Sequence, residues 1–175
     1  TILVSDGSHT AMNTITLVVT KKTTYKVGDI YEVTIKDGSK KKAVVISINN
    51  PTEDGFGTSG KVMAIEEWTG LKYYGNGSDN QAKSAFAHYG TDWTMPLKSD
   101  WENSISANFQ TIQAAIEAND GTKLNTTNGV KYWAEEKDKY GQGSLGQLST
   151  AGTISWGTAS TQTGCVRAVL AVSEF

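Results

Sequence analysis

Before residue 70 the apolar positions fall in short alternating runs, and between residues 80 and 120 they recur at helical spacing. Ile30–Ile35, Ala43–Ile48 and Lys61–Glu67 are rich in β-branched residues and read as strands. Asp37-Gly38 between the first two is a hairpin signal, because both residue types accept the backbone a tight turn requires. Residues 49–60, with Pro51, Gly55 and Gly57, read as a loop. Ser78 and Gln81 have capping-box spacing, and Ala82, Ala85, Phe86 and Tyr89 follow at i, i+3, i+4 and i+7, which predicts a helix ending at Gly90. A second helical stretch is predicted after Pro96. Trp101, Ile105, Phe109, Ile112 and Ile116 share one face of it, and Asn119-Asp120-Gly121 stops it. Asn103 and Asn108 weaken its middle, so two short helices with Ser106 as the second cap are an alternative. From Gly121 onward glycines punctuate the chain, leaving short strand candidates at Val130–Ala134, Thr153–Trp156 and Cys165–Val172. Strands, then two main helical segments, then long glycine-rich loops with returning strands predict an α+β fold.

The first twenty residues read differently. A β-rich run at 1–5 and another at 14–20 flank Asp6-Gly7-Ser8, predicting a hairpin closed around residues 6–13. Two strands alone are marginal in water, so residues 1–20 are expected to pack on the main domain or on a partner, or to fray. Residues 21–24 then form a polar linker, and 25–175 the main domain. The chain opens at Thr1 within a β-rich run, which predicts a processed product or an excised fragment whose export signal lay upstream.

Composition narrows the partners. The formal net charge is −2, and the basic runs are short: Lys21-Lys22 and Lys40-Lys41-Lys42. The latter, just past a turn, reads as a charged strand edge that discourages edge pairing, so nucleic acid is not an expected partner. The single cysteine, Cys165, excludes an internal disulfide, and its apolar strand pattern predicts a buried, inert thiol. No stretch reaches the apolar length of a membrane-spanning helix, so no direct membrane insertion is expected. His9 and His88 are isolated, with no ligand cluster around them, and no metal or other cofactor is expected.

Four stretches, in order, carry a resemblance. Val27-Gly28-Asp29-Ile30-Tyr31, Asp92-Trp93-Thr94-Met95-Pro96 with Asp100-Trp101, Tyr132-Trp133, and Cys165-Val166-Arg167-Ala168-Val169 before Phe175 resemble motifs of the Fibrobacter-type major paralogous domains. These domains occur in Bacteroidetes surface lipoproteins and pilus tips. Gly60–Glu66 is similar to a further strand of that family, and residues 1–20 resemble the end of a cadherin-like or immunoglobulin-like repeat, which implies that they are the terminal strands of a truncated β-sandwich repeat. The resemblance spans about residues 25–175. It implies a C-type-lectin-like fold and an extracellular place on a bacterial cell, either outer-membrane-anchored or pilus-associated. It also implies a structural role for Trp93 and Pro96. The chain departs from the pattern at Leu97-Lys98 and at Ala134-Glu135, the latter in a region that would line a binding face.

The chemistry of catalysis is sparse. The calcium-binding tripeptides of animal C-type lectins are absent, as are the cysteine pair and histidine-rich iron site that enzymes of that fold use. Glu66, Glu67, Glu135 and Glu136 offer carboxylates, but nothing in the sequence singles them out as a hydrolytic pair. No catalytic residue is assigned, and a non-enzymatic binding or adhesion module is expected. Its partner would be a glycan or protein ligand on a host or neighbouring cell, and upstream domains of the same parent protein would carry it. Aromatic side chains among Gly, Asn and Ser are the remaining candidates, because a ring offers contact area at little entropic cost. Tyr73 and Tyr74 in LKYYGNGS and Trp156 in TISWGTAST are the expected ligand contacts, on loops at 68–78 and 135–163. Trp93, Trp101 and Trp133 are expected in the core. The alternative is a structural surface or pilus subunit with no soluble ligand. A variable receptor of a diversity-generating system is disfavoured, because GCVRAVLAVSEF lacks the Asn/Ser/Tyr-rich patch such a receptor displays.

Overall fold

The computed structural model describes residues 2–5, 10–13, 23–73, 80–137, 143–158 and 163–175. At the start, β1 (Ile2–Ser5) and β2 (Thr10–Asn13) pair antiparallel with Ile2 opposite Asn13. This is not the expected hairpin, because residues 10–13 fall within its expected turn, and the expected second strand at 14–20 lies outside the described residues.

The next hairpin follows its turn signal. β3 (Ile30–Thr34) and β4 (Lys40–Ile48) pair across Asp37-Gly38, where Gly38 takes φ +85° and Ser39 N donates to Asp37 Oδ1 at 2.8 Å. β5 (Gly60–Ala64) pairs antiparallel with β4. Both faces of these two strands are covered. Ala43, Val45, Val62 and Ala64 belong to one apolar cluster, and Val44, Ile46 and Met63 belong to a second. A strand buried on both faces loses polar alternation, which explains the unbroken run AVVI.

The remaining elements are β6 (Trp68–Leu71), α1 (Gln81–Ala85), β7 (Trp93–Thr94) and α2 (Lys98–Asp100), which runs into a π-helical turn at Trp101–Ile105. There follow α3 (Phe109–Glu117), β8 (Tyr132–Lys137), β9 (Gly143–Leu148), β10 (Ile154–Thr158), β11 (Gly164–Val166) and β12 (Val169–Val172). One five-stranded sheet has the order β3-β4-β5-β12-β7 with antiparallel neighbours throughout. The other has the order β10-β9-β8-β11-β6, antiparallel except where β8 meets β11.

The chain is therefore mostly β-sheet with short helices. This corrects the expected α+β, C-type-lectin-like fold with two main helical segments. Two physical facts account for the difference. The predicted helices are broken up: α1 spans only five residues, and the second stretch is split by the π turn, where Ser106 N donates to Trp101 O at 2.8 Å. The predicted loop between β8 and the strand candidate at Thr153–Trp156 holds β9, whose glycines make room for rings instead of turns. A Cβ on Gly143 would stand 2.1 Å from Tyr73 Cδ1, and one on Gly146 would stand 2.8 Å from a Trp156 ring carbon.

The helical face of the second stretch is correct even where its continuity is not. Trp101, Ile105, Phe109, Ile112 and Ile116 are all buried, and they join Val44, Ile46 and Met63 in the second cluster. The first cluster gathers Phe86, Tyr89, Trp93 and Trp133 over the opposite face. As expected, Trp93, Trp101 and Trp133 are core residues, at 6%, 0% and 1% exposure.

Candidate functional site

A cavity of about 320 Å³ lies where α1, the segment after it and β8 meet. Asn80 caps α1, its Oδ1 accepting from Lys83 N at 3.2 Å; the expected cap, Ser78, lies outside the described residues. This start turns Ala82 and Phe86 into the core and leaves Lys83 and Ala87 exposed. Gly90 takes φ +131°, a region that favours glycine, and the chain continues through Thr91 into β7. Trp93 stacks on Tyr89 with ring centroids 4.8 Å apart, so its position is fixed from behind.

From the other side β8 brings Glu135. Its backbone N–H donates to Pro96 O at 2.9 Å, and its carbonyl accepts from Tyr73 Oη at 3.1 Å, which locks the strand at this point. Lys83 Nζ donates to Glu135 Oε1 and ties α1 to β8. Glu135 Oε2 is buried and has no hydrogen-bond partner among the described residues. The cavity thus combines an apolar wall of Phe86 and Trp93, the threonines Thr91 and Thr94, and the Lys83–Glu135 ion pair.

The structure separates the expected ligand contacts. Tyr73 is 2% exposed and packs edge-on against Trp133 at 5.5 Å. Burial, then the nearby Glu135 and Glu136 carboxylates, push its phenol up to about 12. It supports Glu135 from within the core, and this corrects its assignment as a surface contact. Tyr74 lies outside the described residues. Trp156 sits half-buried on β10 against the second cluster, its Nε1 donating to Glu102 Oε1 at 2.7 Å and Lys98 Nζ standing 5.3 Å from the ring centroid. The aromatic residues expected on loops therefore stand on or beside strands and on different clusters. Sequence reasoning passed over Lys83, Thr91 and Thr94. The available signal was Ala134-Glu135, where the chain departs from the motif it resembles.

A second polar constellation is sealed between the sheets. Arg167 is fully buried. Its guanidinium donates to Ile65 O at 2.8 Å, to Thr122 O and to Glu67 Oε2 at 3.0 Å. Tyr132 Oη donates to the same Glu67 oxygen at 2.6 Å. Cys165 belongs to this group as well. Burial, then the Glu67 carboxylate, raise its thiol to about 12, which makes it a poor nucleophile. His88 stacks on Tyr89 at 4.8 Å, in the aromatic group of the first cluster. Among the described residues no group of three or more His, Cys, Asp or Glu is placed to hold a metal ion, and no helix is long and apolar enough to cross a membrane. Compared with family models, with curated proteins and with solved structures, the chain matches none.

Proposed function

We propose that this chain is an extracellular binding module of a bacterial surface or pilus-associated protein, and that it takes a glycan in the cavity between α1 and β8. The observation that carries the reading is the cavity's lining, where the apolar wall of Phe86 and Trp93 meets the threonines Thr91 and Thr94 and the Lys83–Glu135 ion pair. Aromatic walls with a few convergent polar groups are the usual make-up of small-molecule sites, and this volume lies at the small end of their range. It suits one sugar unit rather than an extended chain. The surface location, and a parent protein with upstream domains, rest on the ordered motifs between Val27 and Phe175. The competing reading is a structural surface or pilus subunit without a soluble ligand. It is supported by the same ion pair, whose role would then be only to tie α1 to β8.

A glycan-array comparison of the whole chain with its Ala87→Trp variant separates the two. Ala87 is exposed and lines the cavity, so the indole fills the cavity without entering the core. The expected result is glycan binding by the parent chain and its loss in the variant at an unchanged melting temperature. Binding that survives in the variant moves recognition elsewhere, and no binding by the parent chain favours the structural reading.

A further inference from the structure

We infer that the free edge of β10 pairs with the same edge of a second copy of this chain, antiparallel about Trp156, joining two five-stranded sheets into one. β10 ends its sheet and has β9 on one side only. Ser149 N donates to Thr153 O at 2.9 Å, and the register carries this bonded pairing on to Ser155 opposite Gln147 and Gly157 opposite Leu145. Bonded and non-bonded pairs alternate along antiparallel strands. Ile154, Trp156 and Thr158 therefore turn their backbone N–H and C=O groups away from β9, where no described residue pairs with them. An open row of this kind is a template for a further strand.

The other edges of the two large sheets are guarded. β7 has only two residues, and β6 bends where Gly70 takes φ +69°. β3 carries Glu32 at its midpoint, so pairing that edge with its own copy about the centre sets two carboxylates face to face. β10 reads ISWGT, with no charge, no proline and no register shift. It is self-complementary about Trp156: Ile154 meets Thr158 of the second copy, and Ser155 meets Gly157. Ser155 and Gly157 are exposed, and a Cβ at Gly157 meets nothing within 4 Å, so the outer face of the seam is open. On the inner face Trp156 meets its own counterpart. Lys98 stands over this ring and Glu102 accepts from its Nε1, so each copy brings one positive and one negative charge. No like-charge excess gathers there. A seam of 5 residues a side buries less than a tight dimer needs, so the association is weak and reversible.

The test is sedimentation equilibrium of the whole chain from about 10 µM to about 1 mM, with the melting temperature as a control for folding. The parent chain is expected to move reversibly from monomer toward dimer over this range. Ser155→Glu/Gly157→Glu sets a carboxylate at 155 opposite one at 157 of the second copy, twice per dimer, and should weaken association about fivefold. Ser155→Lys/Gly157→Glu sets opposite charges at the same two contacts and should tighten it about fivefold. Both variants should melt with the parent chain, since neither position faces the core. A parent chain that stays monomeric at about 1 mM overturns the inference, and leaves the edge at most to a strand of another protein. A dimer that both variants leave unchanged overturns it too, because the contact then lies elsewhere. A dimer weakened by both variants overturns the antiparallel register about Trp156.

Discussion

Trp93 is held by the Tyr89 ring behind it and keeps only 6% of its surface exposed, so removing the indole opens the first cluster beside the cavity. Trp93→Ala should lower unfolding free energy by about 3–5 kcal/mol in urea denaturation, the usual loss for a buried aromatic cut back to a methyl. A loss below about 1 kcal/mol would place the ring outside the core. Arg167 illustrates a different cost. Its guanidinium donates to the Ile65 and Thr122 carbonyls as well as to the Glu67 carboxylate. Arg167→Met keeps much of the volume but leaves Glu67 buried beside Tyr132 without its cation. Breaking one side of a buried pair typically costs about 3–5 kcal/mol, and the urea midpoint should fall accordingly. The double variant Arg167→Met/Glu67→Gln should recover part of that loss, because no unpaired charge then remains inside. Cys165, in the same pocket of polarity, should label with a thiol reagent only after unfolding.

At the scale of elements, glycines decide what was legible. Gly143 and Gly157 look alike in sequence, yet a Cβ at Gly143 would strike Tyr73 while one at Gly157 would meet nothing within 4 Å. Gly143→Ala should therefore destabilise by about 1–3 kcal/mol through overpacking. Gly157→Ala on β10 should be neutral or stabilise by up to about 1 kcal/mol, since the unfolded chain loses freedom. Thermal melts of the two variants measured together check the contrast. The same contrast explains the fold-class error. Glycines that admit rings between strands carry the same letter as glycines that turn the chain, so β9 was read as loop and the returning strands as isolated. The β3–β4 hairpin was legible because Asp37-Gly38 acts locally, and the apolar face from Trp101 to Ile116 was legible because its spacing survives a π turn. Lys83 and Glu135 were not legible as a pair. They come from elements far apart in the chain, and only the packing of α1 on β8 joins them. Tyr73 was misassigned for a related reason: its polar Gly/Asn/Ser neighbours suggested solvent, while its ring fills the space above Gly143.

Across the whole molecule, protons held by buried groups set an alkaline limit. Tyr73 and Cys165 keep theirs to about 12 in the folded chain, against ordinary values of 10.0 and 9.0. Tyr89 and Tyr132 are raised as well, by burial first and then by Glu66 and Glu67 respectively. Below the ordinary values both folded and unfolded chains stay protonated, and stability is at its full level. Above them the unfolded chain releases protons first, so stability falls as pH climbs toward about 12. The urea midpoint should be lower at about pH 11 than at about pH 8, and an equal or higher midpoint would contradict the burial of these groups. The joint between the sheets has a further implication, for synthesis. Arg167 and Ala168 alone separate β11, which lies between β8 and β6, from β12, which lies between β5 and β7. Two successive strands are thus interior, one in each sheet. A nascent chain whose residues 164–172 are still inside the ribosomal exit tunnel has a gap in each sheet and no guanidinium to bridge them. Neither sheet closes without this segment, so the two are expected to close together once it has emerged.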